Sequence, residues 1–347
     1  MNLFDGASAA GRAALALTAL WLLPAAAAEP DRLDQIDYPV RTVTVVVPFA
    51  KGGPTDTVTR LITAEMAKTL RQPIEIENIL GAGGTLATTR VAHAAPDGYT
   101  LIVGHLGTHG AVVALFPKLG YRPDKDFAPV ALLTEMPVLL LARKQFPPKD
   151  MTEFAAFVTS HTDNLNVAHA GFGSVSYASC LLLNRLLKVD PTGVPFGGTG
   201  PAMRALIEGQ VDYMCDQIVN AVPALRAGKV KAYLIAASER DPAVPDVPTA
   251  REAGLPEFEV GAWTGLFAPR GTPEPIVAKI NAAVSRALDQ PDLRTHLIDL
   301  GALVPRPEQR SPGGAGPTRG RRNLALGKGR EGNRTLAATA DWSGHPR

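Results

Sequence analysis

The sequence predicts an α/β protein with two lobes that face each other across a cleft. In the first half, an apolar β-type segment runs three times into a glycine-rich loop and then a helix: TVTVVVPF before AKGGPTD, IEIEN before ILGAGGT, and YTLIVG before HLGTHG. The second half repeats this alternation, which is typical of parallel sheets covered by helices. Two long apolar segments, residues 127–143 and 258–270, join the halves, so we expect a hinge of two strands.

Strands of the first lobe are predicted at 43–48, 74–77 and 100–103. A helix follows the first strand, with Thr55 or Asp56 as its N-terminal cap. The second lobe is predicted to contain strands at 166–169, 194–196 and 211–214 and helices at 175–187, 201–208 and 218–227.

Glycine-rich loops follow the strands of both lobes. The carboxyl ends of parallel strands lie at one edge of a sheet, so the loops at Gly52, Gly83 and Gly107 are expected to converge there. Exposed backbone N–H groups and helix N-termini at such an edge favour a small anion or polar metabolite. The sequence therefore favours a solute-binding protein rather than an enzyme, with no cofactor.

The N-terminus has the pattern of a secretory signal peptide. Arg12 precedes the apolar stretch AALALTALWLLPAAAA, and small residues end at Ala28. Cleavage after Ala28 is expected, although an uncleaved anchor stays open as an alternative. No cysteine follows the signal to accept a lipid. We expect a soluble periplasmic protein.

Two cysteines, Cys180 and Cys215, are the only ones in the chain. Since an oxidising compartment favours disulfide formation, we expect these two residues to be joined. Two buried thiols are the alternative.

The last 37 residues differ in composition from the rest of the chain. They contain eight glycines, six arginines and one lysine, but only two carboxylates, so their net charge is +5. Because the whole chain has a net charge of +2, residues 1–310 have a net charge of −3. This tail is expected to be disordered, and a frameshift of the coding sequence near Arg310 is one explanation. The mildly acidic body does not favour nucleic-acid binding.

The expected organisation covers the whole chain. Hydrophobic residues make up 46% and charged residues 20% of it, a composition that supports folded cores. The predicted boundaries are a signal peptide at 1–28, the first part of lobe 1 at 29–132, lobe 2 at 133–252, the return part of lobe 1 at 253–310 and the basic tail at 311–347.

Six segments resemble the Bug family, the extracytoplasmic solute receptors of tripartite tricarboxylate transporters. They are VVPFAKGGPTD, ENILGAGGT, AAPDGYTLIVGHLGTH, YRPDKDFAPVALL, VPFGGTGPAMRALIEGQVDYMCDQ and VPTAREAGLPEFEVGAWTGLFAPRGTP. The resemblance extends from Tyr38 to about Val304. It implies a two-lobed periplasmic-binding-protein fold of the type II, or flytrap, kind. It also implies capture of a small carboxylated metabolite and its delivery to integral-membrane transporter subunits.

The sequence departs from the family pattern in three places. Lys51 occupies a position where the family usually has proline or alanine. Its side chain is expected either to lie near an anionic ligand as a cation or to be solvated. Ile79-Leu80 precede the GAGG loop in place of a basic residue and proline. The final helix of the family, which packs on lobe 1, is replaced by the basic tail.

The expected ligand contacts are backbone N–H groups and hydroxyls of these loops, because several neutral donors with helix N-termini can hold a carboxylate. In lobe 1 we expect Phe49, Gly52, Gly53, Thr55, Asp56, Gly107, Thr108 and His109. In lobe 2 we expect Gly173, Ser174, Ser176, Gly197, Gly198, Thr199 and Asp216. Asp56 and Asp216 repel a carboxylate, so they would act through water or toward a ligand ammonium; a helix cap is the alternative for Asp56.

Other kinds of site are disfavoured. His105, His109 and His169 lack carboxylate or cysteine neighbours at ligand spacing, so no metal site is expected. Ser174 lacks the G-x-S-x-G frame of a nucleophile turn. The GAGGT loop lacks the third glycine of a dinucleotide fingerprint.

Two functions remain open at this point. A transport receptor would close on a carboxylate and present the closed form to membrane partners. A ligand-binding sensory protein would instead pass its occupied state to a signalling partner. Neighbouring genes distinguish them, since membrane-subunit genes accompany a transport receptor and a kinase gene accompanies a sensor.

Overall fold

The computed structural model describes residues 37–115 and 118–312. The expected signal peptide at 1–28, and the tail beyond residue 312, lie outside the described residues. Within the described part of the chain, no helix combines the length and apolar character needed to cross a membrane.

Lobe 1 begins with alternating strands and helices. After the strand at Thr100–His105, the chain makes a π-type turn at Gly107–Ala111 and continues into a short helix at Val112–Leu115. The elements are β1 (Val43–Val47), α1 (Pro54–Leu70), β2 (Ile74–Asn78), α2 (Thr85–Ala92), β3 (Thr100–His105) and α3 (Val112–Leu115).

Lobe 2 lies between two long strands that connect the lobes. The first connection is β4 (Phe127–Arg143), and the return is β9 (Gly261–Pro269). Between them lie α4 (Met151–Ser160), β5 (Asn166–His169), α5 (Val175–Leu187), β6 (Thr192–Pro195), α6 (Thr199–Ile207), β7 (Tyr213–Gln217), α7 (Ile218–Arg226) and β8 (Val230–Ile235). After β9 the chain forms α8 (Glu274–Leu288) and α9 (Pro291–Asp299).

The strands form one continuous sheet in the order β2-β1-β3-β9-β4-β7-β5-β6, with β8 paired to β4. The β4 strand belongs to both lobes: its first part pairs with β9, and its second part pairs with β7 and β8. The neighbours of β1 and of β5 are parallel, whereas both connecting strands pair antiparallel to their neighbours. The predicted α/β class and two-strand hinge are confirmed.

Three apolar clusters fill the molecule. The largest joins the lobes, because it includes Val58 and Ile62 of α1 together with Met203 and Ile218 of lobe 2. A second cluster fills the rest of lobe 2, and a third lies on the other face of the lobe 1 sheet around Phe127 and Phe267.

Cys180 of α5 and Cys215 of β7 form a disulfide, with their Cα atoms 5.4 Å apart. Both residues are buried in the lobe 2 cluster. The bond therefore ties a helix to the central strand beneath it.

Several local predictions need correction. The N-cap of α1 is Gly53, not Thr55 or Asp56, and no side chain caps it. Sequence reasoning also omitted α4 and β8. The motif that identifies α4 was present: Asp150 accepts a hydrogen bond from the N–H of Glu153, as an N-cap aspartate does.

The last described residues return to lobe 1. Arg310 is only 2% exposed. Its Nη1 lies 2.6 Å from Asp289 Oδ1, and its Nε donates to the Pro305 carbonyl at 2.8 Å. Leu303 forms a bridge to Glu135 of β4. The segment after α9 is thereby anchored on α8 and the hinge.

Candidate functional site

The glycine loops of both lobes meet in one cleft. Its inner cavity is lined from lobe 1 by Phe49, Gly53, Pro54, Thr55, Asp56 and His105, and from lobe 2 by Ala170, Ser174, Val175, Ser176, Thr199 and Gln217. A second cavity nearer the surface is lined by the GAGG loop and by the loops after β5 and β6. The cleft is thus formed at the carboxyl ends of strands from both lobes.

The two lobes are in direct contact through their backbones. The N–H of Ala50 donates to the Gly197 carbonyl oxygen at 2.9 Å. A Cβ atom added at Gly107 would lie 2.2 Å from the Gly173 oxygen, and one added at Gly200 would lie 2.8 Å from the Gly52 carbonyl carbon. Only glycine allows backbones to approach this closely, so the closed arrangement depends on these residues.

Three helices begin at the inner cavity. The first residues of α1, α5 and α6 all contribute to its lining through Thr55, Ser176 and Thr199. Unpaired N–H groups and the helix dipole attract negative charge at this end of a helix. The arrangement supplies positive potential without requiring a cationic side chain.

Asp56 is buried in the first turn of α1 and fully engaged by protein groups. Its carboxylate accepts from the N–H of Gly52 at 2.9 Å, from Arg60 and from Asn78 Nδ2 at 3.0 Å. Burial by itself would raise the pKa of Asp56, but the hydrogen bonds from Arg60, Gly52 and Asn78 outweigh it and leave the pKa lowered. Asp56 therefore stays ionised, and its hydrogen bond to Gly52 supports the shape of the first loop.

His105, the last residue of β3, lines the same cavity and is only 2% exposed. Its Nδ1 accepts from the N–H of Gly107 at 2.8 Å and of Thr108 at 3.3 Å. Burial lowers the pKa of His105 to about 4, so the ring is neutral near pH 7. Because Nδ1 accepts, the proton of the neutral ring lies on Nε2. The ring stacks on Phe49, with their centroids 5.0 Å apart.

Two serines shape the lobe 2 side. Ser174 is the N-cap of α5: its Oγ accepts from the N–H of Tyr177 at 3.1 Å and donates to the Gly171 carbonyl at 2.7 Å. Ser176 Oγ accepts from the N–H of Ala170 at 2.9 Å. These bonds fix the loop after β5 against the start of α5.

Asp216 lies beneath the loop that carries Thr199. Its carboxylate accepts from the N–H of Gln217 at 2.8 Å and from Asn220 Nδ2, which also donates to the Thr199 carbonyl at 3.2 Å. Burial raises the pKa of Asp216 to about 7. Asp216 thus orients Asn220 and, through it, Thr199.

The structure brings many of the expected residues together. Those that line the inner cavity are Phe49, Gly53, Thr55, Asp56, Ser174, Ser176 and Thr199. Those that lie at the contact between the lobes or in the outer cavity are Gly52, Gly107, Gly173, Gly197 and Gly198.

The expected roles of His109 and Thr108 do not fit their positions. The His109 ring stacks on Phe267 with centroids 4.2 Å apart and lies 4.8 Å from Phe127, so it belongs to the aromatic core of lobe 1. Thr108 is fully buried; its hydroxyl contacts His109 Nδ1, and its carbonyl accepts from Tyr121. The π-type turn directs this pair away from the cavity. Asp216 likewise lies below the lining residues.

Sequence reasoning missed two polar lining residues, His105 and Gln217. Each is the last residue of its strand, His105 in β3 and Gln217 in β7. A position at the carboxyl end of a strand was the available signal.

Comparison with known proteins identifies the family. A family model described as "Tripartite tricarboxylate transporter family receptor" matches residues 58–310. The chain belongs to this receptor family. MatC (Rpa3494) from Rhodopseudomonas palustris, solved with bound malate, is 89% identical with a TM-score of 0.79 and covers 80% of this chain and 94% of its own.

Two further proteins are similar. R. palustris Rpa4515, solved with adipate, is 34% identical with a TM-score of 0.74 and covers 77% of this chain and 90% of its own. An Agrobacterium vitis relative, the UPF0065 protein in the TAR-I ttuE-ttuC' intergenic region, is 42% identical over 269 residues, or 78% of each chain. The receptor family binds carboxylate solutes and is not a family of enzymes.

Proposed function

We propose that this protein captures a four-carbon dicarboxylate of malate's class in the periplasm and delivers it to the membrane subunits of a tripartite tricarboxylate transporter. The observation that carries the proposal is the 89% identity to a receptor solved with malate. At this identity, most side chains around the cleft are expected to be retained.

The chemistry of the cavity supports an anionic ligand held by neutral groups. None of the described lining residues is a lysine or arginine, and the one carboxylate among them, Asp56, is paired with Arg60. The donors are instead the starts of α1, α5 and α6 and the side chains of Ser176, His105 and Gln217. Backbone N–H groups and helix dipoles offset the desolvation of a carboxylate when several converge.

The hinge supports the capture step. Both lobes contribute residues to the cleft, so a ligand bound between them contacts both and favours an arrangement in which the lobes approach each other. Closure buries the ligand and changes the outer surface of the protein, which a membrane partner can distinguish.

The first test is thermal unfolding of the protein recovered from periplasmic extracts after export by its own N-terminus. Malate, succinate, fumarate, adipate, citrate and arginine are added separately. Malate at one hundred times its Kd adds about 2.7 kcal/mol to the free energy of unfolding, a shift of several degrees. A shift with four-carbon dicarboxylates and none with arginine supports the proposal. A cooperative transition that no dicarboxylate shifts overturns it.

Delivery is tested by uptake of labelled malate in cells that lack this receptor. Reintroducing the receptor with its membrane subunits is expected to restore uptake, whereas the receptor alone is not. Malate binding combined with unchanged uptake would favour the sensory function.

A further inference from the structure

Two neutral polar side chains lie at corresponding positions in the two lobes. His105 ends β3 and Gln217 ends β7, and these strands flank the connecting strands in the order β3-β9-β4-β7. His105 is opposite Thr264 of β9, and Gln217 is opposite Val138 of β4. Each lobe thus offers one such residue from the strand next to the hinge.

Both residues are largely buried, and each carries a side-chain donor that has no strong acceptor among the described residues. His105 is 2% exposed and Gln217 is 4% exposed, and both line the inner cavity. The Nδ1 atom of His105 is engaged by the N–H groups of Gly107 and Thr108, which leaves its Nε2–H as the donor. The side-chain contact recorded for Gln217 is a weak one, from Nε2 to Met136 Sδ at 3.7 Å.

A donor that lines a cavity and makes no strong bond within the protein is available to a ligand oxygen. We propose that His105 Nε2–H and Gln217 Nε2–H donate to oxygens of the bound dicarboxylate, one from each lobe, and so couple ligand binding to closure at the hinge. This inference rests on the proposed function. Neutral donors suit the role because they hold an anion without a competing ion pair inside the protein.

A second histidine provides the matched control. His169 ends β5, and its Nδ1 accepts from the N–H of Gly171 at 3.0 Å, the same two-residue turn that His105 makes with Gly107. It is not one of the residues that line the inner cavity. Replacing it with asparagine therefore perturbs an equivalent turn without removing a cavity donor.

The test is calorimetric titration of malate into the wild type and four variants. In His105→Asn, the amide oxygen can replace Nδ1 as acceptor for Gly107, but the Nε2 donor is lost. His105→Gln places an amide N–H near the original Nε2 and loses the acceptor. Gln217→Met removes the amide at similar volume, and His169→Asn is the control.

His105→Asn and Gln217→Met are each expected to weaken malate binding by about tenfold to a hundredfold, the loss of a hydrogen bond to a charged group. His105→Gln is expected to bind more tightly than His105→Asn, and His169→Asn to bind like the wild type. Ligand-free thermal unfolding verifies that each variant is folded.

The outcomes separate the two proposals. If the wild type binds no dicarboxylate, the proposed function and this inference both fail. If the wild type binds malate and either His105→Asn or Gln217→Met binds it equally well, only this inference is overturned. If His169→Asn weakens malate binding as much as His105→Asn does, the proposed role of His105 is overturned. The loss of binding would then arise from disturbing the histidine turn rather than from losing a donor to the ligand.

Discussion

The Cα atom of Gly83 faces the carbonyl oxygen of Phe172 across the cleft so closely that a Cβ atom at Gly83 would lie 1.4 Å from that oxygen. Gly83 belongs to the GAGG loop of lobe 1, and Phe172 to the loop after β5 in lobe 2. A methyl group cannot occupy this space while the lobes are closed. The GAGG loop therefore has a steric role in closure.

Gly83→Ala is expected to fold and to lose closure. Malate affinity should fall by at least about a hundredfold, because the binding-competent closed state becomes inaccessible. Small-angle scattering with malate should show a larger radius of gyration than the wild type shows.

Gly209→Ala is the matched control for that variant. Gly209 also has a positive φ, of 76°, but a Cβ there would meet nothing within 4 Å. Alanine at such a φ costs about 1–2 kcal/mol of stability in either place. Wild-type affinity in Gly83→Ala, or an equal loss in Gly209→Ala, would contradict the steric account.

Asp216 predicts a pH dependence of stability. Its folded-state pKa is about 7, above the unfolded value near 4, so the folded state binds the proton more tightly. The free energy of unfolding should therefore fall as the pH rises from about 4 to about 7. Asp216→Asn should remove this part of the slope, measured by urea unfolding at several pH values. Parallel pH profiles for the two proteins would exclude the effect.

Removing the charge of Asp56 is expected to lower both the stability of the protein and its affinity for malate. In Asp56→Asn, the Arg60 guanidinium loses its ionic partner and the Gly52 N–H loses a charged acceptor. A cost of about 1–3 kcal/mol in the free energy of unfolding is expected, together with weaker malate binding from a less ordered first loop. Urea unfolding and calorimetry measure the two effects. Since the pKa of Asp56 is lowered, its contribution is present above about pH 4 and is lost on acidification through the folded-state pKa.

The disulfide predicts a redox-dependent stability. Cys180 and Cys215 are 35 residues apart, and closing a loop of this size contributes about 2–4 kcal/mol. Replacing both with alanine should lower the thermal midpoint, and adding a reductant should then have no further effect. Two free thiols counted in the denatured, unreduced protein would show that the bond does not form.

The alternation of strands, glycine loops and helices was sufficient to predict the fold class and the hinge. The ends of the strands were harder to predict, because His105 and Gln217 are polar and were therefore assigned to the loops after β3 and β7. Their positions inside the cavity depend on two further residues of strand pairing in β3 and three in β7, which the apolar pattern does not reveal.

His109 shows another limit of sequence reasoning. A glycine-rich loop does not specify which of its side chains turns toward the solvent. The π-type turn at Gly107–Ala111 places His109 against Phe267, and that aromatic partner lies far away in the sequence. Long-range packing therefore decides which loop residues line the cavity.

The most direct test of the receptor function is calorimetric titration of malate into the exported, purified wild-type protein near pH 7. We expect one malate per chain with a Kd in the micromolar range or below, and arginine should give no heat of binding. An absence of malate binding by the folded protein, or equal binding of arginine, would contradict the account.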